Sequence, residues 1–175
     1  TLTSENGQGR ILTIRDGGTF TNNGTFTAND GTVSFPGAGT ITGTTTFNDV
    51  DIAGGVDFGT DSTINGNLTL NAGSFVNTNS PIYGSSSTLI YNSSNLYGRR
   101  SEWSNAGNQG RPNDVIVQNN TAINMGFDNT TDNAVIDGNL TIESGSSVFM
   151  DFGSNPNSND MEAPLIVKGD FINNG

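Results

Sequence analysis

The chain of 175 residues contains no cysteine and no histidine. Without cysteine there are no disulfides and no thiolate metal sites. Without histidine, the usual general base and the usual zinc ligand are both missing. Basic residues number six against 17 acidic ones, for a net charge of −11. A chain so poor in Lys and Arg does not suit the phosphates of nucleic acid. No apolar run approaches the roughly 18 residues of a membrane-spanning helix, so no membrane insertion by this segment is expected. No signal-peptide pattern is legible, and both ends read as mid-pattern, which leads us to expect a piece of a longer polypeptide. Only 31% of residues are hydrophobic and 13% charged. Such a composition would also fit disorder, so the placement of the apolar residues decides the matter.

Gly, Asn, Thr and Ser together make up roughly half of the chain. The apolar residues fall in pairs two apart, such as Val50/Ile52, Val56/Phe58 and Leu68/Leu70. That alternation marks strands with one buried face. Residues 66–76 (GNLTLNAGSFV) return at 138–148 as GNLTIESGSSV, a strand-turn-strand unit repeated along the chain. Asn48-Asp49-Val50 returns as Asn113-Asp114-Val115, preceding the two copies by 18 and 25 residues. The second unit therefore carries an insertion, placed within 119–133. Apolar positions at Ile41, Phe47, Ile52, Phe58, Ile64, Leu70, Phe75 and Ile82 recur every five to seven residues, so that about three short strands close one rung. A weaker echo joins residues 12–24 to 165–175, as if the segment were one period of an array.

These patterns predict an all-β chain folded as a parallel β-solenoid, a right-handed β-helix, with tandem small β-sandwiches as the rival architecture. Residues 1–175 are expected to form a single solenoid segment of a longer repetitive chain. A loop insertion is placed at about 92–113, where the beat of apolar positions breaks, and a surface loop at 151–163. Residues 23–52 (NGTFTANDGTVSFPGAGTITGTTTFNDVDI), then INGNLTLNAGSFV, and STLIYNSSNLYGRRSEWS with the later GRPNDVIV, resemble the repetitive extracellular regions of very large Bacteroidetes surface proteins, which are adhesin-like and secreted by the type IX system. The resemblance implies a stalk or adhesin-fibre segment, extracellular or on the bacterial cell surface, without catalytic residues. It implies neighbouring repeats of the same chain as partners.

Five residues of the 92–113 loop stand out: Tyr97, Arg99, Arg100, Glu102 and Trp103. Aromatic faces stack on sugars while Arg and Glu bond hydroxyls or acidic groups, which defines the alternative function, a carbohydrate-binding module for cell-surface or extracellular glycans. The competing reading is a loop folded back on the solenoid with Trp103 covering an apolar edge. Asp49, Asp51, Asp57 and Asp61 are candidate Ca²⁺ ligands, since calcium takes several oxygens, but no EF-hand or nonapeptide motif accompanies them; the competing reading is a solvated acidic surface. Asp61-Ser62-Thr63 is similar to the O-glycosylation motif of Bacteroidetes, which places a sugar on Ser62. No pair among the acidic residues is singled out for glycosidase chemistry, and no enzymatic activity is expected.

Overall fold

The computed structural model describes residues 1–3, 9–104, 107–127, 133–151, 161 and 163–175. The loop expected at 151–163 falls outside them except at Asp151, Met161 and Ala163.

The alternating pairs fold as the sequence predicts: a strand of two to five residues, a turn, and another strand on a new face. Three faces are visited in rotation, with one third-face visit skipped, in the rung that begins at Thr88. The first carries an eight-stranded sheet, running from Ile11–Thr13 through Thr32–Phe35, Asp49–Ile52, Asn67–Asn71, Thr88–Asn92, Asp114–Val117 and Leu140–Ile142 to Phe171–Asn173. The second carries a sheet of four strands and then one of three; the third carries sheets of two, three and two. All strands are paired in parallel. The fold is a three-sided parallel β-solenoid, not a pair of sandwiches.

Leu12, Val33, Val50, Leu68, Leu89, Val115, Leu140 and Phe171 stand in one register column of the first face. Successive members lie 21, 17, 18, 21, 26, 25 and 31 residues apart, so rungs lengthen toward the C-terminus while the ladder keeps its register. The column from Val33 to Leu140 is buried, and each fully buried member contributes about 1.5–3 kcal/mol. On the second and third faces Phe20, Phe26 and Phe47 meet edge-on or tilted, with centroids 5.2–5.8 Å apart, the arrangement that ring quadrupoles favour. At the C-terminal ends of the first-face strands, Asn92 Nδ2 donates to Asn71 Oδ1 (2.9 Å) and Gln118 Nε2 to Asn92 Oδ1 (3.4 Å). An amide ladder thus runs up one edge.

The two GNLT copies occupy equivalent places, both opening a first-face strand three rungs apart. Their link to the Asn-Asp-Val echoes is a corner contact. Asp49 Oδ1 accepts the Asn67 N–H, and Asp114 Oδ1 accepts that of Asn139, each at 2.7 Å. The carboxylate lies against the glycine that precedes the asparagine. A Cβ on Gly66 would meet that carboxylate and sit 2.9 Å from Asn48 O; one on Gly138 would sit 2.8 Å from Asn113 O. Gly66→Ala is therefore expected to cost about 1–3 kcal/mol by overpacking. Asp49→Ala should relieve only part of it, because the Asn48 carbonyl remains. Denaturant midpoints of the two single variants and the double variant test this, and an unmoved midpoint for Gly66→Ala would refute the corner contact.

Three sequence expectations shift. Phe75 and Ile82 are not inward positions: Val76 and Tyr83 pair with the fully buried Val56 and Ile64, so the beat slips by one at each. The terminal echo is out of phase, since Leu12 belongs to a first-face strand and Leu165 to a third-face strand. The insertion expected at 92–113 is narrower, because Leu96–Gly98 is an ordinary second-face strand paired with Ala122–Asn124. Of the seven extra residues placed within 119–133, two fall between Val117 and Ala122 and five between Asn124 and Ala134, where residues 128–132 lie outside the described residues.

Candidate functional site

In the rung that begins at Thr88, no third-face strand forms among the described residues. The chain leaves Leu96–Gly98, makes a single 3-10 turn at Ser101–Trp103, and returns to the first face at Asp114. Trp103 occupies the interior that the missing strand would fill. It is fully buried; its indole N–H donates to Val135 O at 3.2 Å, and its ring lies 6.4 Å from that of Tyr91. Farther along, Gln109 Nε2 donates to the carbonyls of Gly59 (3.0 Å), Thr60 (3.2 Å) and Ser80 (2.7 Å), fastening the outer limb of the insertion to earlier rungs.

The five sequence-predicted residues are brought together, but four of them face inward. Arg99 is buried, with Nε donating to Met125 O (3.1 Å) and an Nη1 hydrogen to Trp103 O (2.7 Å). Tyr97 is buried with its ring edge-on to Tyr91 at 5.0 Å. Glu102 is fully buried. Its Oε1 accepts from the Tyr91 hydroxyl and the Arg100 N–H, both at 3.0 Å, and its backbone carbonyl accepts from the Tyr83 hydroxyl at 2.8 Å. Glu102 Oε2 and the Tyr97 hydroxyl have no hydrogen-bond partner among the described residues. Trp103 offers no exposed face on which a sugar can stack. Arg100 alone of the five is exposed.

Burial pushes the Glu102 carboxyl above its ordinary range, against the opposing effects of its hydrogen bonds and of Arg99. Burial first, and the Glu102 charge second, push the Tyr83, Tyr91 and Tyr97 phenols well above 10.0. A carboxyl with a folded pKa above its unfolded value of about 4.3 contributes stability that is complete below that value. The contribution is lost as pH rises through the folded pKa. Stability is therefore expected to decline across that window, and Glu102→Gln, which keeps the neutral shape, should flatten the decline. Denaturation at a series of pH values checks this; an identical slope in the variant would refute it.

The four aspartates do not converge. Asp49 and Asp51 share the outer side of one first-face strand, as alternation requires, but Asp49 is occupied by the corner contact. Asp57 lies on the second face, where Oδ1 accepts from Gly59 N (3.0 Å) and Asn79 Nδ2 (2.9 Å). Asp61 accepts from the Thr60 hydroxyl at 3.0 Å. Among the described residues no three His, Cys, Asp or Glu side chains stand close enough to hold a metal. Ser62 is fully buried beside Thr45, which pairs with it in register. The folded chain therefore does not present Ser62 Oγ at the surface for a sugar.

Sequence reasoning missed the partners of this cluster: Tyr83 and Tyr91 on Glu102, Gln109 on the earlier rungs, and Phe75 and Phe127 on either side of Arg100. One signal was available. Between Tyr97 and Val115 the sequence has no large apolar residue except Trp103, and a solenoid rung with three faces has to fill all of them.

The geometry defines a class, the parallel β-solenoid, with an aromatic and ionisable plug in place of one strand. No family model, no curated protein and no solved structure significantly matches the chain.

Proposed function

We propose that this chain is a structural segment of an extracellular stalk or adhesin fibre, part of a large adhesin-like surface protein of the type IX-secreted Bacteroidetes kind, with a non-enzymatic role. The observation that carries the reading is the continuous eight-strand ladder over a filled apolar core. Such a stack is stabilised rung by rung through nearest-neighbour contacts, so it extends without limit in principle. The cluster most able to support chemistry is consistent with this role, because four of its five members are buried in the core. The end rungs present Leu2, Ile11, Phe171 and Ile172 as exposed apolar residues, and further rungs of the same polypeptide are the proposed neighbours.

Electron microscopy of the full-length native protein tests the proposal. A long uniform rod, with a rung spacing of about 4.8 Å along its axis, is the expected result. A compact particle with one exposed cleft would overturn it.

A further inference from the structure

Arg100 is held between two aromatic rings. Its guanidinium carbon lies 4.9 Å from the centroid of the Phe75 ring and 4.9 Å from that of Phe127. Both rings are accommodated by glycine. A Cβ on Gly55 would sit 2.6 Å from the Phe75 ring, and a Cβ on Gly98 would collide with the Phe127 ring. Two phenylalanines are thus laid over two strands where side chains are missing, and they hold one guanidinium between them. Cation–π attraction fixes the side chain, yet its N–H edge is not spent: the side chain makes no hydrogen bond or ion pair among the described residues. Arg99 and Arg111, by contrast, are committed to carbonyls and to Asp137 respectively.

The clamp borders a groove of about 180 Å³. It lies where the second-face sheet is interrupted, between Phe75–Val76, which ends one sheet, and Leu96–Gly98, which begins the next. Leu96, 53% exposed, gives it an apolar wall. Asn95, whose Nδ2 donates to Ser93 O (3.0 Å), keeps its side-chain oxygen for an incoming hydroxyl. A planar fork with fixed orientation matches a carboxylate in two parallel hydrogen bonds. The volume is below the roughly 300–1,000 Å³ of a drug-sized site, so the groove takes one ring-sized unit and not an extended chain.

We propose that this groove binds a carboxylate-bearing sugar unit, a hexuronate, with the carboxylate bidentate on Arg100 and the ring against Leu96. The site stands apart from the stalk reading, and neither depends on the other.

The test is a backbone-amide NMR titration of the whole chain with glucuronate. Glucose serves as the probe without a carboxylate, and a short peptide ending in glutamate as the protein-like one. Glucuronate is expected to shift Ser74, Leu96 and Gly98, and glucose to leave them in place. Arg100→Gln should weaken the response at least tenfold, and Arg100→Lys should weaken it too, since the ammonium lacks the fork. Leu96→Glu, a change at an exposed position, sets a like charge in the groove mouth and should abolish it without unfolding. Equal response to glucose, no response at all, or an undiminished response in Leu96→Glu would overturn the proposal. A peptide response equal to or stronger than that of glucuronate would overturn the sugar assignment in favour of a protein carboxylate.

Discussion

Trp103→Ala is expected to lower the unfolding free energy by about 3–5 kcal/mol. Trp103 heads the fully buried side chains by volume, and it stands where a rung has no strand of its own. Truncation removes its contacts with Tyr91 and leaves Val135 O without the indole donor. The cavity does not collapse easily, because the rungs on either side are fixed by their ladders. Trp103 is the single tryptophan, so unfolding has to be followed by circular dichroism instead of intrinsic fluorescence. A loss of no more than about 0.5 kcal/mol, typical of surface substitutions, would show that Trp103 is not a core residue. The same experiment separates the plug from a lectin-like loop, in which the substitution would abolish sugar binding and leave stability unchanged.

The second large effect lies four residues earlier and contrasts two neighbours in the chain. Arg99→Ala should cost about 3–5 kcal/mol, the range for removing one partner of a buried charged network. It strands the carbonyls of Met125 and Trp103 and takes away the cation that opposes the burial of Glu102. Arg100→Ala should cost about 0.5–1 kcal/mol, the worth of an exposed cation–π contact. Alternation explains the difference: adjacent residues leaving a strand point to opposite sides. Paired denaturant titrations give both values, and similar losses in the two variants would refute the assignment of sides.

Much of the architecture was legible because the interior of a solenoid is one-dimensional. The pairs Val50/Ile52 and Leu68/Leu70 declare which side of each strand is inside, and rungs of 17 and 18 residues require three short steps. The recurrence of Asn-Asp-Val ahead of Gly-Asn-Leu-Thr was visible as a repeat, but its meaning was not. A carboxylate of one rung that rests on the glycine of the next and accepts the N–H of the following asparagine joins residues 17 and 18 positions apart. The fate of Ser62 was readable and passed over: Ile64 is inward, so Ser62, two residues earlier, is inward as well. The plug was the hardest part. Arg, Glu, Tyr and Trp in a glycine-rich stretch have the composition of a binding loop. Only the arithmetic of filling three faces assigns Trp103 to the core. The clamp on Arg100 was beyond reach, because Phe75 and Phe127 are 52 positions apart and meet only when their rungs are stacked.

One consequence concerns mechanical load. A solenoid pulled along its axis carries the force through rungs in series, and an ordinary rung peels away from a single neighbour at a time. At the plug this changes. Gln109 grips the Gly59–Thr60 and Ser80 backbones of the two preceding rungs, and Trp103 grips Val135 in the one that follows. Four consecutive rungs are stitched through one insertion, and they have to let go together. In a single-molecule pulling trace, small regular steps are expected to give way to one large rupture at mid-length. The plug would then act as a rip-stop, halting a tear that starts at either end.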